Sequence, residues 1–402
     1  MKRKTVAVLL PWLKMGGTNK IALNFMQELS QYCDVTLILS EESGELLPEI
    51  PKNIQLIVDE MKEFRYLAGM DLKKVRIGYL IRDCIYYARI KAGKDGVDNN
   101  KYIVDRHGFV SDDEYDCAIS YHGQSPERLL NLLYRVHAKK KVVWIHGEIS
   151  FGKRKIEELR KYYSEVDHFF FVSVPTMQSF VRLYPFAEEK ATVYYNPINR
   201  NEIIEKANQP FDSPYSEQYI NILTVGRLSR EKGQQMVPIV TRNLLEQGMR
   251  VRWYLIGNGD MYSEIEQLIH RYGVEDNVYL LGVRTNPYGY MLKCDIYVQP
   301  SYTEGYSTTI CEAGILGKAI IGTKPSGGIC DQITDGRDGL IVDANVAGLT
   351  NGISYLIENQ SIRHQFEEHI KHKNFAGRGE IHKFLKLLDI DFCSQGQGIY
   401  LE

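Results

Sequence analysis

Glu304 and Glu312 are separated by seven residues, and the stretch between them contains Ser307-Thr308-Thr309. That run reads as the start of a helix, whose unpaired backbone N–H groups suit a phosphate. Glu304 falls in the loop before the helix and Glu312 about one turn inside it. Carboxylates accept hydrogen bonds from vicinal hydroxyls, so one acid could hold a sugar and the other a ribose. The spacing Thr309-x-x-Glu312 equally satisfies a capping box, so spacing alone leaves Glu312 between a ligand contact and a structural one.

A second group lies upstream in Gly226-Arg227-Leu228-Ser229-Arg230-Glu231-Lys232-Gly233. The pattern predicts a strand ending here and a helix beginning at about Lys232-Gly233. Arg227, Arg230 and Lys232 would then oppose the positive end of the helix dipole unless an anion such as a diphosphate sat among them. A solvated basic turn with Glu231 as partial partner fits the residues as well. Gly257-Asn258-Gly259 is a weaker signal, read as lining the nucleotide base; the dinucleotide pattern Gly-x-Gly-x-x-Gly is absent. In the first half, Gly16-Gly17 after the first strand allows the backbone to approach a phosphate or sugar, although a tight turn needs glycine equally. His146 and His122 each follow a strand, where a histidine serves as a hydrogen-bonding spacer or as a reactive group. His364, His369 and His372 do not share one helix face, and Asp112-Asp113 precedes a strand instead of ending one, so neither reads as a metal site.

These residues need rigid elements beneath them. Short runs rich in Val, Ile, Leu and Tyr alternate with helix-period segments, the signature of βαβ units and a parallel sheet. Strands are expected near 4–10, 34–40, 54–58, 115–121, 141–146, 167–172 and 191–195, then near 220–226, 251–257, 277–281, 295–299, 319–322 and 338–342. The expected organisation is a Rossmann-like domain over 1–198, a linker over 199–219 rich in proline and charge, a second Rossmann-like domain over 220–378, and a tail over 379–402 that packs back on the first domain. Ligands of such folds bind outside the carboxyl ends of the strands.

At 402 residues the chain exceeds the size of one hydrophobic core, and 49 basic against 51 acidic side chains offer no global field for nucleic acid. The seven cysteines form no Cys-x-x-Cys pair and read as reduced thiols of a cytoplasmic protein. No stretch has the length of a membrane span. Residues Asp71 to Lys94 and Phe151 to Tyr163 are basic with interleaved aromatics. They read as a peripheral contact with an anionic membrane at the inner face of the plasma membrane, or as ordinary solvated helix faces.

Gly226-Arg227 with Lys232, the Glu304 to Glu312 spacing, Leu255-Ile256-Gly257-Asn258-Gly259, Gly327-Gly328 and Asp338-Gly339-Leu340 occur in an order that resembles the retaining glycosyltransferases of family 4. The resemblance covers about 220–345 well and the first half more loosely. It implies an α/β, GT-B fold, with two doubly wound domains facing a central cleft. It also implies transfer of a hexose or N-acetylhexosamine from a nucleoside diphosphate sugar, such as a UDP-sugar, to a glycan or lipid-linked acceptor in bacterial surface polysaccharide synthesis. Neither metal nor cofactor is called for. Arg227 and Lys232 would bind the diphosphate, Glu304 the sugar hydroxyls and Glu312 the ribose. Backbone groups around Ser307, Thr308 and Thr309 would meet the distal phosphate, and His146 would lie beside the reacting carbon. Family members often carry an acid where this chain has Asn19. Two other readings are a catalytically silent GT-B partner or glycan-binding subunit, and a nucleotide-sugar epimerase.

Overall fold

The computed structural model describes residues 3–59, 110–149, 151–324, 327–375 and 379–391. They divide into two compact units. The first holds the described residues up to Phe171, Met177–Tyr194 and those from Gly379 onward; the second holds Val172–Thr176 and the described residues from Tyr195 to 375.

In the first unit, seven parallel strands run in the order β3-β2-β1-β4-β5-β6-β7. They are β1 (Thr5–Leu10), β2 (Asp34–Leu39), β3 (Gln55–Val58), β4 (Tyr115–Ser120), β5 (Ala138–Ile145), β6 (His168–Phe171) and β7 (Ala191–Val193). The second unit orders six parallel strands β10-β9-β8-β11-β12-β13, namely β8 (Ile220–Val225), β9 (Val251–Ile256), β10 (Val278–Gly282), β11 (Ile296–Gln299), β12 (Ala319–Lys324) and β13 (Leu340–Asp343). All thirteen lie where the apolar runs predict them. The reason is burial on both faces: Trp253 and Leu255 of β9 enter one core, whereas Tyr254 and Ile256, alternating with them, enter the other. In each sheet the order reverses beside the first strand, at β1/β4 and at β8/β11, and such reversals open a crevice at the carboxyl ends.

The helix Gly17–Leu29 buries Ile21, Phe25 and Leu29, the stripe its sequence predicts. In the same unit, the helix Ile381–Leu387 brings Phe384 to within 5.4 Å of the Phe25 ring and 5.8 Å of the Phe170 ring. The segment 199–219, expected to be a linker, is instead a packed part of the second unit. A helix spans Arg200–Ala207, capped by Asn199, whose Oδ1 accepts from the Glu202 N–H at 3.2 Å. Beyond it, the Tyr215 hydroxyl donates to the Tyr290 carbonyl at 3.0 Å and the Tyr254 hydroxyl to that of Pro214 at 3.0 Å. Among the described residues, no helix is long and apolar enough to cross a membrane.

Candidate active site

The two strands flanking the reversal of the second sheet deliver the principal charged groups. The loop after β8 carries Arg227 and Lys232, and the loop after β11 carries Glu304. Lys232 Nζ donates to Glu304 Oε2 at 2.7 Å, with the lysine side chain 23% and the glutamate 10% exposed. The Ser301 hydroxyl donates to the same carboxylate oxygen at 3.1 Å. Arg227 is more open, 69% exposed, and pairs with Glu231 at 2.5 Å.

The cations do not open an α-helix as expected. Arg230–Lys232 and Gln234–Met236 are short 3-10 turns, and the α-helix begins only at Val237. The expected conflict between Lys232 and a helix dipole is therefore absent. An internal carboxylate stands where an anion was invoked, and the basic turn with Glu231 as partner describes Arg227.

The helix after β11 runs Thr308–Ile315. Its cap is Ser307, whose Oγ accepts from the Ile310 N–H at 3.4 Å. Counting from that cap, Glu312 is the fifth helical residue, past the third position that a capping box requires. The capping alternative for Glu312 is thus removed; its Oε1 instead accepts from the Tyr288 hydroxyl at 3.2 Å. Gln332 braces the start of the helix from the following segment, accepting from the Ser307 N–H at 2.9 Å and donating to the Ser307 carbonyl at 2.6 Å.

Two glycines have a packing explanation. A Cβ on Gly257, at φ +144°, would lie 1.9 Å from the Gly226 carbonyl oxygen; one on Gly328 would lie 1.9 Å from that of Gly305. These contacts lock the β9 loop onto the Arg227 loop, and the Gly327-Gly328 turn onto the Glu304 loop. Asn258 is exposed, its Oδ1 accepting from the neighbouring Gly259 N–H at 2.9 Å. Asp338 accepts from Lys373 at 2.9 Å and from the Thr334 N–H at 2.7 Å, a structural anchor.

In the first unit, Gly16 is extended, and a Cβ there would meet nothing within 4 Å. Neither backbone nor packing demands glycine at that position. Asn19 secures the loop by donating from Nδ2 to the Lys14 carbonyl at 2.8 Å, a bond that the acid common at this position could not donate. His146 follows β5, its N–H donating to Gln124 Oε1 at 3.2 Å, and its ring centre lies 5.9 Å from that of His122. Burial first, and His122 second, push the His146 imidazole down to about 3. Burial, then Arg128, push His122 down to about 4. Burial, then Lys140, likewise lower His168 to about 4.

All three histidines lie below their usual 6.5 in the folded state, so the unfolded chain binds more protons as pH falls through 6.5. Their contribution to stability is complete above that pH and is lost progressively as pH falls through the folded values. We expect thermal melts to shift downward between pH 6.5 and 5, above the range in which carboxylates titrate. A flat melting temperature across that interval would contradict these environments.

The basic segment 71–94 lies outside the described residues. In the other, the helix Lys153–Ser164, Arg154 pairs with Glu158 at 2.9 Å and Arg160 with Glu157 at 3.1 Å, so part of its charge is met internally.

Residues 205–373 match the sequence profile of the family described as Glycosyl transferases group 1. This part of the chain resembles a group 1 glycosyltransferase domain. Among curated proteins, the chain is 26% identical over 196 residues to the Campylobacter jejuni N-acetylgalactosamine-N,N'-diacetylbacillosaminyl-diphospho-undecaprenol 4-alpha-N-acetylgalactosaminyltransferase, covering 48% of this chain and 52% of that protein. It is 31% identical over 129 residues to the phosphatidylinositol N-acetylglucosaminyltransferase gpi3 subunit of Schizosaccharomyces pombe, covering 32% and 28%. The chain thus spans about half the length, or less, of these relatives. Among solved structures, Anabaena Alr3699/HepE in complex with UDP and glucose superposes with a TM-score of 0.69 at 17% identity, covering 96% of this chain and 99% of that one. A mutant of S. aureus TarM, in complex with Fondaparinux, alpha-GlcNAc-glycerol and UDP, superposes with a TM-score of 0.69 at 13% identity, covering 96% and 100%. At such identities the likeness establishes the fold, which is GT-B with two Rossmann-like domains.

Proposed function

We propose that the protein is a retaining, metal-independent glycosyltransferase that moves a sugar from a nucleoside diphosphate donor to a hydroxyl of a glycan or lipid-linked acceptor. The observation that carries this reading is the Lys232–Glu304 pair, set at the sheet reversal of a group 1 domain beside the capped start of the Thr308 helix. In this reading Lys232 and Arg227 turn to the donor diphosphate and stabilise the charge that develops on it as the glycosidic bond breaks. Glu304 accepts hydrogen bonds from sugar hydroxyls and Glu312 from the ribose. Backbone N–H groups at Thr308 and Thr309 meet the distal phosphate.

His146, neutral at working pH, serves the reaction as a hydrogen-bonding group, and the departing phosphate accepts the proton of the attacking hydroxyl. Gly16-Gly17 leaves room for the ligand, in keeping with a Gly16 whose missing side chain the fold does not require. UDP-sugars are the first donors to consider, since the Anabaena and S. aureus structures were solved with UDP. The named relatives from C. jejuni and fission yeast transfer N-acetylhexosamines, and the first acts on a diphospho-undecaprenol acceptor. Surface polysaccharide synthesis on a lipid carrier, with peripheral contact at the inner membrane face, is the corresponding setting.

The test is to incubate the purified full chain with a panel of UDP-, GDP- and ADP-sugars and extracted polyprenyl diphosphate glycans. Mass spectrometry then reads acceptor mass. An acceptor gaining one sugar, with its anomeric configuration retained by NMR, is expected. A donor converted to an isomer of equal mass without acceptor would replace this reading with an epimerase. Inertness toward the whole panel, with tight association to a second protein, would replace it with a silent subunit.

A further inference from the structure

Gln299, the last residue of β11, is 1% exposed and belongs to none of the charged motifs above. It nevertheless joins them. Its Nε2 donates to Ser301 Oγ at 2.8 Å, and Ser301 donates to Glu304 Oε2 at 3.1 Å, the oxygen that Lys232 also holds. On its other side, Gln299 Oε1 accepts from Thr309 Oγ1 at 3.0 Å and from the Tyr297 hydroxyl at 3.0 Å. Thr309 Oγ1 lies 3.1 Å from Ser307 Oγ, the helix cap.

The direction of this chain follows from the charge at its end. An ionised Glu304 can only accept, so the single hydroxyl hydrogen of Ser301 is committed to it. Ser301 must then accept from Gln299, which places the amide nitrogen of Gln299 there and its oxygen opposite. The oxygen can only accept, so Thr309 commits its hydrogen to Gln299, and Ser307 is left as the donor between the two hydroxyls. The charge state of one glutamate thereby sets the hydroxyl orientations at the start of a helix in a separate loop. Neither Ser307 nor Thr309 retains a hydroxyl hydrogen for a ligand. Among the described residues, none takes that of Thr308.

We propose that Gln299 is a positioning residue that couples the sugar-contacting end of the donor site, at Glu304, to the phosphate-contacting end at the Thr308 helix. The proposal rests on the donor-site assignment above. Its consequence is that perturbing one end changes ligand binding at the other only while Gln299 links them.

Ser301 is fully buried on the Glu304 side of Gln299. Lys232, which holds the same Glu304 oxygen, gives a nucleoside diphosphate a second route to it, so only an effect that depends on Gln299 reports the coupling. The experiment is calorimetric titration of the full chain with UDP, GDP and ADP, continued with whichever binds most tightly. The variants are Ser301→Ala, Gln299→Met and the double variant, each checked for an unchanged melting profile. In the natural background, Ser301→Ala is expected to weaken nucleotide binding about 3- to 10-fold, of the order found for coupled contacts. In the Gln299→Met background the same change should have less than about a 1.5-fold effect, the uncoupled limit. An equal effect in both backgrounds, or none in the natural one, overturns the coupling while leaving the donor site standing. Failure of the unmodified chain to bind any of the three nucleotides overturns the donor assignment and this proposal with it. If Gln299→Met does not fold, Thr309→Val breaks the same chain one bond further along and takes its place.

Discussion

Lys232→Ala is expected to lower kcat/KM for sugar transfer by about 10²- to 10³-fold, the scale seen when one fixed donor to a developing oxyanion is removed. Two losses combine. The cation that would stabilise the leaving diphosphate is gone, and among the described residues Glu304, only 10% exposed, keeps just the neutral Ser301 hydroxyl in place of an ammonium group. Lys232→Arg keeps the charge but not the compact reach, so it should recover only part of the loss. Arg227→Ala should cost less, because Arg227 is largely exposed and its partner Glu231 is itself well solvated. Steady-state kinetics on the three variants decide the matter. A Lys232→Ala enzyme within threefold of the parent would remove this lysine from the mechanism.

Gly257→Ala is expected to be strongly destabilising. The residue sits at φ +144°, where a side chain is strained, and the new Cβ would lie 1.9 Å from the Gly226 carbonyl oxygen. Left-handed strain of about 1–2 kcal/mol and overpacking of about 1–3 kcal/mol act together. For a domain of this size that corresponds to a drop of about 10 °C in Tm. Gly248→Ala separates the two causes: it has φ +79° but nothing within 4 Å of its Cβ, so only the strain applies. Equal melting temperatures for the two variants would show that the loop contact contributes nothing.

The strands were legible because a doubly covered parallel sheet needs short apolar runs bounded by turn residues, as in Val142–Ile145. The helix Arg200–Ala207 was not. It buries only Ile203 and Ala207, so its apolar stripe is too thin to stand out from the charges around it, and Pro210 and Pro214 beyond it mimic a linker. For the site, residue type and order picked out Lys232 and Glu304, but spacing could not tell that Lys232 faces a carboxylate 72 positions away. Gln299 and Gln332 escaped notice because uncharged amides carry no chemical signature. One signal was present: a glutamine closing the otherwise apolar Ile296–Gln299 strand immediately before Pro300. A polar residue there must find buried partners, and these proved to be the hydroxyls of two loops. The orientation of Glu312 was similarly hidden, since whether Ser307 or Thr309 caps the helix depends on which loop Gln332 grips.

The helix Ile381–Leu387 has a bearing on how the chain is made. Phe384 completes an aromatic cluster with Phe25 and Phe170, residues translated more than two hundred positions earlier. During synthesis the first seven strands emerge well before the helix that seals one of their faces, while the second unit has all of its described residues in hand first. The nascent amino-terminal sheet must therefore wait with Phe25 and Phe170 incompletely covered. In the interval it is the part of the molecule most exposed to misassociation or to a chaperone's grip.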